Sequence, residues 1–197
     1  MNIFDSRSKL NLLLVRAGST ELDEQGRITG SLDMPLSLAG EKEAETTARQ
    51  LDDLKIDVIF SAQCQAAKQT AEHLSNGGAI RIKVEDSLTN LDHGLWHGKS
   101  IDELKETRPK LYRQWNENPE SICPPGGETI ESVRNRVEST LNRIRRKYKT
   151  GVVAIVAPEP LYSIIRSLIN SSELRDLFED KTEKSRWEAL ETVDAVA

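Results

Sequence analysis

The sequence predicts an α/β fold built on a mostly parallel sheet flanked by helices, and three observations carry the prediction. Short apolar runs rich in aliphatic and β-branched residues recur at residues 10 to 15, 58 to 60, 80 to 84 and 152 to 156. Between them lie segments whose apolar residues recur at helical spacing. The first and last runs break at Gly18 and Pro158, as strands do when they run into loops. Strands alternating with helices place ligand space outside the carboxyl ends of the strands.

Taken in order, residues 10 to 15 read as a buried strand followed by a long polar loop. Ser37 can cap a helix that begins after Pro35 and carries Ala44, Ala48, Leu51 and Leu54 on roughly one face as far as Lys55. A strand at 58 to 60, a short helix at 65 to 74, the turn Asn76-Gly77-Gly78 and a strand at 80 to 84 follow. Ser100 with Glu103 forms a capping-box signature for a helix over 101 to 107, stopped before Pro109. The next helix holds Leu111 and Trp115. After the rigid turn Cys123-Pro124-Pro125-Gly126-Gly127, Thr129 can cap a long helix through Val133, Val137, Leu141 and Ile144. The nearly uninterrupted β-branched run at 152 to 156 is the pattern of a central strand covered on both faces. An apolar helix at 161 to 169, a charged tail at 179 to 186 and a weak terminal element around 187 to 193 complete the chain.

At 197 residues, 37% hydrophobic and 30% charged, the chain fits a single domain over 1 to 197 with a large core. A net charge of −5 argues against a nucleic-acid or anionic-membrane surface, either of which calls for a basic field. The basic run Arg143, Arg145, Arg146, Lys147 and Lys149 closes the long helix, where cations suit the negative end of the helix dipole. Cys64 and Cys123 lack the spacing of a metal or redox motif and are expected as free thiols. The longest apolar stretch near the N-terminus, residues 12 to 15, is too short for a signal core or a membrane span, so a cytoplasmic location is expected. No cofactor is implied, and the oligomeric state is left open.

Five motifs, spread over about residues 10 to 170, resemble those of the histidine phosphatase (phosphoglycerate-mutase-like) superfamily. They are Leu14-Val15-Arg16-Ala17-Gly18, the loop and helix entry from Gly26 to Ser37, Phe60-Ser61 with Ala67, Gln69, Thr70 and Ala71, Gly94-Leu95-Trp96-His97-Gly98, and Pro125-Gly126-Gly127-Glu128. The resemblance implies a three-layer sandwich and a phosphotransfer site at the strand ends. Its chemistry uses a histidine nucleophile in an Arg-His-Gly motif, and here that position is Ala17. A methyl group cannot attack phosphorus or be phosphorylated. The family's second histidine matches Pro158, its second arginine matches Ala66, and its acid matches Asn90, whose amide cannot act as a general acid. Lys68, two positions on from Ala66, points to another side of a helix and is not expected to substitute.

Only Arg16 survives of the five positions. A charge-assisted hydrogen bond contributes roughly 1.5–3 kcal/mol, so these losses weaken phosphate binding by orders of magnitude. The expectation is a chain with no catalytic residues and a vestigial phosphate pocket of Arg16, Ala17, Ser19, Thr29, Gly30, Ala66, Asn90 and Pro158, acting by binding a protein partner or a small anionic, phosphorylated ligand. The alternative is a phosphatase or mutase with a non-standard mechanism. An engineered Ala17 accounts for one loss but not for Ala66, Asn90 and Pro158. Retained Arg16 with Ser19, Thr20 and Thr29 suggests a weak anion site; a buried salt bridge of Arg16, or its hydrogen bonding to loop carbonyls, is the equal competitor. His93 and His97 are expected as surface or rim residues rather than as catalysts or metal ligands, Trp96 and Trp115 as packing residues, and Arg134 and Arg136 as a solvated helix face.

Overall fold

The computed structural model describes residues 9–174, 177 and 185–191. Five strands form one sheet in the order β3-β2-β4-β1-β5: β1 Leu10–Arg16, β2 Val58–Ser61, β3 Ile82–Val84, β4 Gly151–Ala157 and β5 Trp187–Glu191. All pairings are parallel except that of β5, which runs antiparallel along β1. Every residue of β1 is buried, as are all of β4 after Gly151, which is why these two strands read as continuous apolar runs.

Among the described residues, seven α-helices accompany the sheet: α1 Glu21–Glu24, α2 Leu38–Leu51, α3 Gln65–Leu74, α4 Ile101–Thr107, α5 Pro109–Glu117, α6 Ile130–Lys147 and α7 Leu161–Asn170. The chain moves outward along the sheet through α2 and α3 and back through α6 and α7. The right-handed rule for parallel crossovers puts α2 and α3 on one face and α6 on the other. Consistent with this, α2 packs on α3 and α6 on α7. Along α6 the buried residues Ile130, Val133, Val137, Leu141 and Ile144 make one stripe, as the helical period of the sequence predicts.

The predicted caps form: Ser37 accepts the Gly40 amide at 3.0 Å, Ser100 that of Glu103 at 3.5 Å and Thr129 that of Ser132 at 3.1 Å. Two boundaries differ from the sequence reading. The Ser37-capped helix ends at Leu51, because the Leu54 amide turns back to the Leu51 carbonyl. The strand expected from residue 80 begins at Ile82, since the Ile80 amide closes the preceding turn on the Ser75 carbonyl. Of the charged tail and terminal element, residues 179–184 and 192–193 lie outside the described residues.

Both cysteines are free thiols. Among the described residues no helix is long and apolar enough to cross a membrane.

Candidate functional site

Register brings the site together. Arg16 pairs with Ala157 across β1 and β4, the Ala17 amide donates to the Ala157 carbonyl at 2.9 Å, and the Ala62 amide donates to Val156 at 2.9 Å. The loops after β1, β2 and β4 thus leave the sheet side by side at its carboxyl edge, where a doubly wound sheet opens a crevice. The loop after β1 lies against the first turn of α2. A Cβ on Gly18 would strike the Gly40 carbonyl and one on Gly40 would strike that of Ser19, so neither position admits a side chain without movement. The Gly18 amide donates to Thr70 Oγ1 at 3.0 Å, and the Leu36 amide to Gln69 Oε1 at 2.8 Å. Motif residues on α3 therefore hold the loops in place.

A cavity of about 710 Å³ opens there, within the size range of small-molecule sites. Seven of the eight residues expected at the pocket line it: Arg16, Ala17, Ser19, Thr29, Gly30, Ala66 and Pro158. The two alanine side chains are buried methyl groups. Lys68 is not on this wall. The Arg16 guanidinium is 8% exposed and faces the Glu159 carboxylate at 3.9 Å, the far limit of an ion pair.

Asn90 is the exception, and its expected place in the pocket is corrected. It is absent from the cavity wall and buried at 3% exposure. Its amide nitrogen donates to the carbonyls of Gly30 and Glu159, both at 2.8 Å, while its oxygen accepts from the amides of Leu91 at 3.0 Å and Leu161 at 3.1 Å. The side chain is a staple joining three loops. Arg136 supports it, donating to the Ser87 carbonyl at 2.8 Å and the Asn90 carbonyl at 3.4 Å while gripping both Glu128 oxygens at 3.1 and 3.0 Å. Arg134 pairs with Glu120 at 2.6 Å, so neither arginine belongs to a merely solvated face.

The hydroxyls differ from expectation as well. Thr20 and Thr29 both donate to the Asp23 carboxylate, at 2.7 and 2.8 Å, in the capping box that starts α1. Their protons are committed there rather than to a ligand.

His93 is not a rim residue. It is 1% exposed, lies 5.3 Å ring to ring from Trp115, lines the cavity and has its pKa pushed down to about 4, chiefly by burial and then by neighbouring His97. His97 is half-buried, and its Nε2 accepts the amides of Ser31 and His93 at 3.2 Å each. That nitrogen is an acceptor, so the Asp92 carboxylate 3.6 Å away is not its ion-pair partner. Gly30 sits beneath both rings with φ +52°, and a Cβ there would approach His93 Nδ1 and His97 Nε2 to 2.6 Å. Trp96 and Trp115 pack at 4.4 Å between centroids, as expected of packing residues.

A second arginine of the wall is one the sequence does not place at the site. Arg186, just before β5, lines the cavity, donates through Nη1 to the Ala17 carbonyl and through Nη2 to Ser19 Oγ, both at 3.2 Å, and pairs with Glu43. Burial lowers its pKa despite Glu43, and nearby Arg16 lowers it further. In the sequence it is one charge in a charged tail. Only the pairing of β5 with β1 carries it across the chain to the loop after β1.

Comparison with known proteins agrees with this architecture. The sequence pattern of the histidine phosphatase superfamily (branch 1) matches residues 12–189, extending the expected span as far as the first residues of β5. Phosphoserine phosphatase 1 of Hydrogenobacter thermophilus is 33% identical over 148 residues, covering 75% of this chain and 70% of that protein. A probable phosphoglycerate mutase, GpmB, of Salmonella choleraesuis is 31% identical over 132 residues, 67% of this chain and 61% of the relative. The chain spans only 44% of longer mycobacterial proteins that it matches at 33% identity. Among solved structures, Bacillus stearothermophilus YhfR superposes with a TM-score of 0.78 at 24% identity, over 87% of this chain and 85% of that one, a likeness of fold. The chain belongs to the histidine phosphatase superfamily, branch 1.

Proposed function

We propose that this chain is a non-catalytic member of its superfamily that binds a small anionic, phosphorylated ligand in the cavity beside Arg16. The observation that carries the reading is that the cavity is open and keeps Arg16, while its wall at positions 17, 66 and 158 offers two methyl groups and a proline ring. A phosphohistidine mechanism needs a nucleophile at position 17 and a proton donor for the leaving group. Alanine supplies no nucleophile, and the Asn90 amide is held by backbone partners. An open concave site of this size favours a small ligand over a protein partner.

A second reading, a phosphatase or mutase working by another route, is favoured by the names of the relatives and by one feature of the wall. His93 lines the cavity as a neutral imidazole and is the available candidate nucleophile. Its near-complete burial against Trp115 and Gly30 weighs against attack on a phosphorus atom.

The test combines thermal-shift and calorimetric titration with phosphoserine and 3-phosphoglycerate with a turnover assay on those esters and p-nitrophenyl phosphate. Stabilisation that disappears in Arg16→Gln, without turnover, is the expected result. Turnover abolished by Arg16→Gln and His93→Gln would establish the second reading instead. Absence of stabilisation by either ester would remove the ligand-binding reading.

A further inference from the structure

We infer that Arg186 is the second guanidinium of the anion site, occupying from the C-terminal side the role that position 66, an alanine, does not fill. The inference rests on the ligand-binding reading above and names the group that completes the site. Arg16 and Arg186 line the same cavity. Their backbones are joined as well, since the Arg16 amide donates to the Arg186 carbonyl at 2.7 Å. The Arg186 side chain then runs over the loop after β1, with its guanidinium held by Ala17, Ser19 and Glu43 and only 16% exposed.

Bringing two guanidinium groups together in a partly buried crevice is unfavourable unless negative charge sits with them. Two carboxylates supply part of it, Glu159 toward Arg16 and Glu43 toward Arg186. Both have other partners: Glu159 accepts from Ser163 Oγ at 2.8 Å and Glu43 from the Ser19 amide at 2.8 Å. The Nε–H of Arg186 donates to nothing among the described residues, so the side chain retains a donor for an oxyanion. A planar fork of this kind matches the oxygens of a phosphoryl group, and lysine does not reproduce it. The ligand class is a doubly charged tetrahedral oxyanion, free or as a monoester. Glu43 and Glu159 compete with it for the two arginines.

The experiment is calorimetric titration with orthophosphate, at constant low ionic strength, of the wild-type protein and of the Arg16→Gln, Arg186→Gln, Arg186→Lys and Glu43→Gln variants. Circular dichroism confirms that each variant is folded. Loss of one charge-assisted contact weakens binding ~10–100-fold, the size expected for Arg186→Gln and for Arg16→Gln. Arg186→Lys recovers part of the loss, and Glu43→Gln tightens binding by releasing Arg186 from its competitor. A folded Arg186→Gln protein that binds orthophosphate as the wild type does, while Arg16→Gln has lost it, overturns the role of Arg186 and leaves the ligand-binding reading intact. Wild-type protein that binds no orthophosphate overturns both.

Discussion

Replacing Asn90 is the most direct way to separate a structural role at this position from the proton-donor role that the family resemblance implies. The Asn90→Ala change removes four hydrogen bonds, two donated to the carbonyls of Gly30 and Glu159 and two accepted from the amides of Leu91 and Leu161. A neutral hydrogen bond contributes about 1 kcal/mol net, and a buried polar group left without its partner costs ~1–3 kcal/mol. Water entering the space left by the side chain can satisfy part of that demand, so the expected destabilisation is about 3–4 kcal/mol. Against a total stability of ~5–15 kcal/mol this is a large fraction. For a domain of this size it lowers the melting temperature by roughly 10 °C. Asn90→Asp keeps the shape but replaces the donating nitrogen by an acceptor oxygen facing the Gly30 and Glu159 carbonyls, and should destabilise at least as much at neutral pH. Thermal and urea unfolding followed by circular dichroism measure both. Variants within about 1 kcal/mol of the wild type would refute the assignment of Asn90 as the staple of three loops.

Two further outcomes follow from the same geometry. The His93 pKa is depressed to about 4 from an ordinary 6.5, so the unfolded chain takes up the proton first as pH falls. The stability contributed by neutral His93 is present above pH ~6.5 and is lost toward pH 4, by about 3 kcal/mol in all. His93→Phe should flatten the slope of stability against pH in that window, and an unchanged slope would count against it. Restoring a histidine by Ala17→His should leave p-nitrophenyl phosphate turnover at the level of the unaltered protein, because Ala66, Asn90 and Pro158 remain. Turnover clearly above that level would indicate that position 17 was the only barrier.

The order of elements and most caps were legible in the sequence because they depend on local chemistry. Ser37, Ser100 and Thr129 satisfy orphan amides three residues ahead, and the β-branched run at β4 has the composition of a doubly covered strand. The chemistry missing at positions 17, 66 and 158 was equally legible, since a methyl group or a proline ring lacks the required atoms in any fold. Less readable was the use of side chains that have more than one option. An asparagine, an arginine or a threonine reads as surface, site or staple depending on which backbone groups lie within about 3 Å. Asn90 reaches Gly30 and Leu161, and Arg136 reaches Ser87 and Asn90, only after the loops have converged.

For this protein, then, the residue types alone determined the sheet-and-helix framework, the kept Arg16 and the absence of a nucleophile at position 17. The tertiary structure decided that the crevice beside Arg16 is open, that His93 is buried and uncharged, and that Arg186 shares the cavity wall. The physical reason is the antiparallel pairing of β5 with β1, which brings Arg186 against the Ala17 carbonyl across 169 positions of sequence, a distance over which no local pattern carries information.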